Sequence, residues 1–368
     1  MSSDRRGAGL AQQRQERLLQ LLRAHGSVLV SAAAVELGVS EMTVRRDIDA
    51  LAARRLAVRV HGGAVLPGAS PSGAVPSDGP VRVRWTVGMV VPQLDYYFPS
   101  VIAGARTAAV EAGVRLLLRT SSYDIRDDKQ QIRSLAQTPG LDGMILAPDV
   151  DSPESPALVH WLDRQPLPVV LAERRPPDGL PVSRLEWVGS DHADGTATAV
   201  RHLLQQGHRR LGLLSAEHSP TSKHLRRGWV EALTAAGLDP AEQLVGHSDG
   251  LAGAGRRALV EQLLQRCRAR QVTALVVHPD PCAVALVQHC VDTGTSVPGD
   301  LAIVAYDDEF AALSQPPLTA VMPPKAHVGR VAVELMVARL AEGDRRPPHR
   351  VTVSPRLNVR ESSRRPAA

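Results

Sequence analysis

Short apolar runs separated by longer amphipathic stretches recur along most of this chain, and few folds accommodate that pattern. TVGMVVP (86–92) precedes VIAGARTAAVEAG (101–113), and VRLLLRT (114–120) precedes DDKQQIRSLAQ (127–137). DGMILAP (142–148) precedes PALVHWLDRQ (156–165), which leads to PVVLAE (168–173). RRLGLLS (209–215), VTALVVH (272–278) and LAIVAYDD (301–308) follow. Continuous apolar runs suit strands covered on both faces of a parallel sheet, and the stretches between them supply crossover helices. The pattern predicts an α/β fold. Some 280 residues of it suit two linked α/β lobes better than one sheet.

The first quarter is different. Residues 67–84, PGASPSGAVPSDGPVRVR, are rich in Pro, Gly and Ser and carry no apolar periodicity, which reads as a linker. The net charge of +5 is concentrated before its end: residues 1–84 hold 12 arginines against 7 acids, and the rest is balanced. That asymmetry points to a polyanionic partner for the N-terminal part. The expected organisation is a basic N-terminal unit at 1–66, a linker at 67–84, a two-lobed α/β unit at 85–360, and a tail at 361–368.

Leucines at 18, 19, 21 and 22 predict a helix that Gly26 ends. Ser31 is positioned to cap a second helix that stops at Gly38, and Ser40 a third beginning at Glu41. On the third, Val44, Ile48 and Leu51 form the buried stripe. Thr43, Arg45 and Arg46 fall near its start and mostly off that stripe, with Asp47 and Asp49 placed to hold the arginines. Two short helices joined at Gly38-Val39 make a helix-turn-helix, whose second helix meets base edges with its N-terminal residues. Arginine reads guanine and pairs with phosphate. LAVRVHGG then alternates and turns at Gly62-Gly63 like the wing of a winged helix.

"LGVSEMTVRRDIDAL" followed by "LAVRVHGGAV" resembles the DNA-binding domain of DeoR-type bacterial repressors. The resemblance covers roughly residues 10–66 and implies DNA contacts from Ser40, Thr43, Arg45, Arg46, Arg59, His61 and Gly62. One departure is Arg54-Arg55-Leu56, where that family usually has a glycine before the wing.

The C-terminal part is unlike a DeoR sugar-phosphate domain. "VGMVVPQLDYYFPSVIAGARTAAVEAG", "LDGMILAP", "VGSDHADGTATAVRHLLQQGHRRLGLL", "VPGDLAIVAYDD" and "PPLTAVMPP" resemble the effector domain of LacI/GalR-type regulators. That domain is similar to periplasmic sugar-binding proteins. The resemblance implies two lobes of parallel sheet flanked by helices, three crossings near 188–191, 322–326 and 347–350, and a ligand in the cleft. Ligands in open α/β sheets do sit at strand carboxyl ends. Tyr96, Tyr97 and Phe98 follow the first strand, in a chain with only ten aromatic residues. Aromatic faces stack on sugar or base rings. Asp280 matches the family's ligand-contacting aspartate, and a carboxylate suits paired hydroxyls. Its alternative role is a helix cap. Glu173, Arg174 and Asp307 complete the candidate effector residues. Asp308, Asp191 and His192 read as hinge or capping residues. Leu225 stands where the family usually carries a ligand-gripping arginine, three residues before Gly228-Trp229, which disfavours strongly anionic ligands.

The chain has no run apolar enough for a membrane span and no secretory leader, so a cytoplasmic location is expected. Cys267, Cys282 and Cys290 fit no zinc spacing and read as buried small hydrophobes. No Walker-type loop or catalytic triad is placed by spacing, and no metal or cofactor is expected. The expectation is a homodimeric, ligand-responsive DNA-binding transcription regulator, a repressor of carbohydrate or nucleoside metabolism genes, whose partners are double-stranded operator DNA and a sugar or nucleoside effector. An effectorless repressor, or a sugar kinase with a helix-turn-helix, is the alternative.

Overall fold

In a computed structural model of the chain, the described residues are 14–22, 27–37, 39–53, 56–60, 63–65, 83–253 and 255–364. They fall into two compact units, residues 1–81 and 82–368. Apart from Val83 and Arg84, the expected linker lies outside the described residues, as does the expected stop at Gly26.

The first unit runs α1 (14–22), β1 (Ser27–Leu29), α2 (Val30–Leu37), α3 (Glu41–Ala53), β2 (Val58–Val60) and β3 (Gly63–Val65). Leu18 and Leu22 of α1, Ala33 of α2, and Val44, Ile48 and Leu51 of α3 are all nearly or fully buried in one core. Their spacing of three and four residues puts one apolar face of each helix inward. The strands order as β1-β3-β2, all antiparallel. Two details differ from the sequence reading. α2 starts at Val30 directly from β1, so Ser31 lies inside its first turn rather than at its cap. Strand β1, too short to show alternation, was not foreseen.

The second unit is an α/β pair of lobes. The first lobe is built by β4 (Trp85–Pro92), α4 (Phe98–Glu111), β5 (Val114–Ser121), α5 (Ile125–Ala136), β6 (Gly143–Leu146), α6 (Ser155–Asp163), β7 (Val169–Ala172) and β8 (Glu186–Ser190). The chain then enters the second lobe. There it forms α7 (His192–Gln205), β9 (Leu211–Ser215), α8 (Ser222–Ala235), β10 (Leu244–His247), α9 (Arg256–Ala269), β11 (Ala274–Val277), α10 (Asp280–Asp292), β12 (Ala302–Tyr306) and β13 (Thr319–Met322). α11 (Lys325–Glu342) and β14 (Arg350–Val353) return to the first lobe, and β15 (Arg356–Asn358) closes the second.

The sheets order as β5-β4-β6-β7-β8-β14, all parallel, and β10-β9-β11-β12-β13-β15, in which only β15 is antiparallel. Each sheet has an apolar core on either face. Central strands such as β6, β7, β11 and β12 are buried along their whole length, as continuous apolar runs require. The three cysteines are free and buried.

Two of the expected crossings hold, after β8 and after β13. The third is corrected: residues 350–353 are strand β14, paired with β8, and the crossing falls at Ser354-Pro355. The boundary at 360 is also too early. Ser362 and Ser363 are fully buried, and the Ser362 hydroxyl accepts from the Thr319 N–H and donates to the Ile303 carbonyl.

Candidate functional site

The strand ends of both lobes converge on a cavity of about 280 Å³. The loop after β4 contributes Tyr96 and Tyr97, and α4 begins with Phe98; all three line the cavity. Tyr123, two residues past β5, joins them. Four of the ten aromatic side chains therefore line one cavity, all from the first lobe.

Glu173 and Arg174 follow β7 and also line it. The Glu173 carboxylate accepts three hydrogen bonds. It accepts from the Tyr97 hydroxyl at 2.9 Å, from the Ser190 hydroxyl at 2.8 Å and from the Ser190 N–H at 2.9 Å. Arg174 donates to the carbonyls of Pro148 and Glu173 and lies 5.7 Å over the Phe98 ring. Both side chains thus help to build the wall.

The second lobe supplies Asp307, at the end of β12. Its Oδ2 accepts from the Tyr96 hydroxyl at 2.9 Å and lies 3.6 Å from His278 Nε2. Burial is the main cause that lifts its carboxyl to about 6, against the opposing effect of Lys325. Asp307 and Glu173 both have positive φ, 102° and 56°, so the backbone is strained at the two cavity carboxylates. His192 and His278 also line the cavity, and burial drives their pKa values down to about 3 and about 4. Both are neutral imidazoles near neutral pH. The Tyr306 hydroxyl, beneath the site, donates to the His192 carbonyl at 3.2 Å.

Asp280 is a correction. It is fully buried and is not part of the cavity wall. Its Oδ2 accepts from the N–H groups of Glu309, Phe310 and Ala311 at 2.6, 2.9 and 3.2 Å. Nor does it cap its own helix; it ties α10 to the loop after β12. Asp308 is paired with Arg360 and Asn358. Asp191 caps α7, as expected of a crossing residue.

Leu225 is fully buried in the core with Trp229, on the inner face of α8. Lys223 pairs instead with Asp151 of the first lobe. Gly228 explains how closely α8 and α7 pack: a Cβ there would sit 2.0 Å from the Ala193 carbonyl oxygen.

Sequence reasoning missed His278, Tyr123, His218 and Asp249 as cavity residues and read His192 only as a hinge residue. Each follows a strand by a few residues, so the strand-end rule applied evenly would have found most of them.

In the first unit, the Thr43 N–H donates to Ser40 Oγ at 3.3 Å, and the two hydroxyls lie 2.9 Å apart, so Ser40 caps α3 as expected. Arg46 is exposed on the first turns of α3, and Arg45 precedes it on the same helix. Asp47 does not hold these arginines: it is buried and takes Arg14 and Gln15 of α1. Arg59 lies on β2; His61 and Gly62 lie outside the described residues. Strands β2 and β3 pair across them, Val58 opposite Val65, in the form of a wing.

Residues 14–69 match the family described as a DeoR-like helix-turn-helix domain, and residues 200–363 that described as a periplasmic binding protein-like domain. The arabinose metabolism transcriptional repressor of Geobacillus stearothermophilus is 28% identical over 76% of this chain and 77% of that protein. The transcriptional regulator CelR of Thermobifida fusca is 29% identical over 75% of this chain and 81% of its own length. Among solved structures, a complex of the regulator CelR with cellobiose matches with a TM-score of 0.64 and 26% identity, covering 94% of this chain and 99% of that one. The Escherichia coli repressor AscG matches with a TM-score of 0.63 and 26% identity, covering 76% of this chain and all of that one.

Proposed function

We propose that this chain, a DeoR-like helix-turn-helix domain joined to a periplasmic binding protein-like domain of the LacI type, is a DNA-binding transcription regulator controlled by a small molecule. The observation that carries the reading is the presence of both halves in one chain: a capped helix bearing Arg45 and Arg46, and an aromatic-lined cavity between two lobes.

The DNA-binding residues of this reading are Ser40, Thr43, Arg45, Arg46 and, on the wing, Arg59, His61 and Gly62. The effector residues are Tyr96, Tyr97, Phe98, Tyr123, His278 and Asp307, with Glu173 and Arg174 holding the wall. The ligand is an uncharged ring compound with hydroxyl groups, a sugar or nucleoside. Aromatic faces favour a ring, and Asp307 accepts from hydroxyls. Among the cavity-lining residues Arg174 stands against the carboxylates of Glu173, Asp249 and Asp307, and His192 and His278 are neutral, so the lining disfavours an anionic ligand. The named relatives support that range: they include regulators of arabinose metabolism and repressors called PurR and CytR.

Acting on DNA, the protein works in the cytoplasm as a homodimer that presents two helix-turn-helix units to a palindromic operator. A ligand that prefers one arrangement of the lobes shifts the population of dimer shapes. Coupling of about 1–3 kcal/mol gives roughly a 5- to 150-fold change in operator affinity. No catalytic step is part of this reading, and the named relatives are regulators.

The test is a thermal-shift screen of the full chain against unphosphorylated mono- and disaccharides and nucleosides. Each hit is then added to a binding assay on DNA fragments from the chain's own promoter region. A compound that raises Tm and changes DNA affinity supports the reading. DNA binding with no responsive compound favours an effectorless repressor, in which the Tyr96–Asp307 contact closes the lobes alone.

A further inference from the structure

We infer that the second lobe carries a divalent transition-metal site formed by Glu217, His247 and Asp249. One donor atom from each lies within 4.8 Å of the others. The parallel pairing of β9 and β10 creates the cluster. His247 is the last residue of β10 and stands in register with Ser215, the last of β9. Two residues beyond each strand end come Glu217 and Asp249, and the Glu217 N–H donates to Asp249 Oδ2 at 2.8 Å.

The residue between two of the donors is immobilised. Ser248 is fully buried; its hydroxyl donates to the His278 carbonyl at 2.6 Å, and its N–H donates to the Ser215 carbonyl at 3.2 Å. His247 and Asp249 therefore leave a fixed point of backbone in set directions. Among the described residues, no ion pair engages either carboxylate, and the His247 ring has no hydrogen bond. Two anionic groups held side by side repel each other unless a cation joins them.

One imidazole with two carboxylates, and no thiolate, suits zinc and its first-row neighbours better than magnesium or calcium. Bonds of about 2.0–2.2 Å bring ligand atoms somewhat closer together than they lie here. All three side chains are exposed, so small rotations close that difference. All donors come from one lobe, so binding needs no lobe movement. Asp249 also lines the inter-lobe cavity, which places the cation at its rim.

The experiment is isothermal titration of the chelator-treated, untagged full chain with ZnCl₂ in a non-coordinating buffer. The expected result is a saturable site of one zinc per chain with micromolar or tighter Kd. His247→Ala is expected to weaken it roughly tenfold or more, and Glu217→Gln to weaken it severalfold. His160→Ala, on α6 of the other lobe, leaves it unchanged. The variants change exposed side chains, and circular dichroism confirms their fold. Absence of saturable binding in the wild-type chain overturns the proposal, as does an unchanged Kd in His247→Ala.

Discussion

The Tyr96 hydroxyl, from the first lobe, donates to Asp307 Oδ2, on the second, at 2.9 Å. The same hydroxyl accepts from the Asp280 N–H at 3.3 Å, and the Tyr96 ring lies 5.8 Å from that of Phe310. One tyrosine thus joins three points of the opposite lobe. A ligand hydroxyl bound at Asp307 meets a carboxylate that already has a phenolic partner.

Removing that hydroxyl leaves a buried carboxylate short of a donor. Tyr96→Phe is expected to lower stability by about 1.5–3 kcal/mol, the usual range for a hydrogen bond to a charged group. Urea denaturation measures this, and an unchanged midpoint would mean that the contact does not form in solution.

Asp307 makes stability depend on pH. Its folded pKa of about 6 is above the usual carboxylate value of about 3.9, so the folded protein holds this proton more tightly than the unfolded chain. Stability from this group is full below about pH 4 and is lost as pH rises through about 6. Asp307→Asn removes that dependence. Relative to wild type, the variant is expected to gain up to about 2–3 kcal/mol between pH 4 and pH 7. Denaturation curves across this window check it; a constant difference between the two proteins counts against a raised pKa.

Asp280 is expected to affect folding rather than ligand recognition. Asp280→Ala removes the acceptor of three N–H groups in the loop after β12, at a cost of roughly 2–4 kcal/mol. A compound found in the thermal-shift screen should bind the folded variant with nearly wild-type affinity by calorimetry. A large loss of affinity with stability intact would return Asp280 to the ligand site.

Arg45→Ala and Arg46→Ala are each expected to weaken DNA binding. A base contact costs about 1–3 kcal/mol, whereas a phosphate contact lowers the salt slope by about 1. Fluorescence anisotropy at several salt concentrations separates the two cases. If the double variant binds its promoter fragment like wild type, α3 is not the recognition helix.

Apolar periodicity made most of the fold legible. Continuous runs identified β4, β6, β7, β11 and β12 because strands buried on both faces exclude polar residues. The same logic marked Val44, Ile48 and Leu51 as the inner face of α3, and a local serine cap marked its start. Strand-end position, read together with the family resemblance, pointed to Tyr96, Tyr97, Phe98, Glu173, Arg174 and Asp307, all of which line the cavity. Other features were decided only when distant segments met. Asp280 and Asp307 are both acids just past apolar strands, yet Oδ2 of the first takes the N–H groups of residues 309–311 and the second faces Tyr96 across the lobes. Asp47 looked like a partner for neighbouring arginines and instead holds α1. The short edge strands β1, β14 and β15 were equally illegible, because their residues (SVL, RVTV and RLN) mix polar with apolar and form no continuous apolar run, and their pairing comes from chain elsewhere. Local pattern records which side of an element is apolar; which polar group meets which is fixed by long-range packing, and hydrogen bonds form only where that packing brings donor and acceptor within reach.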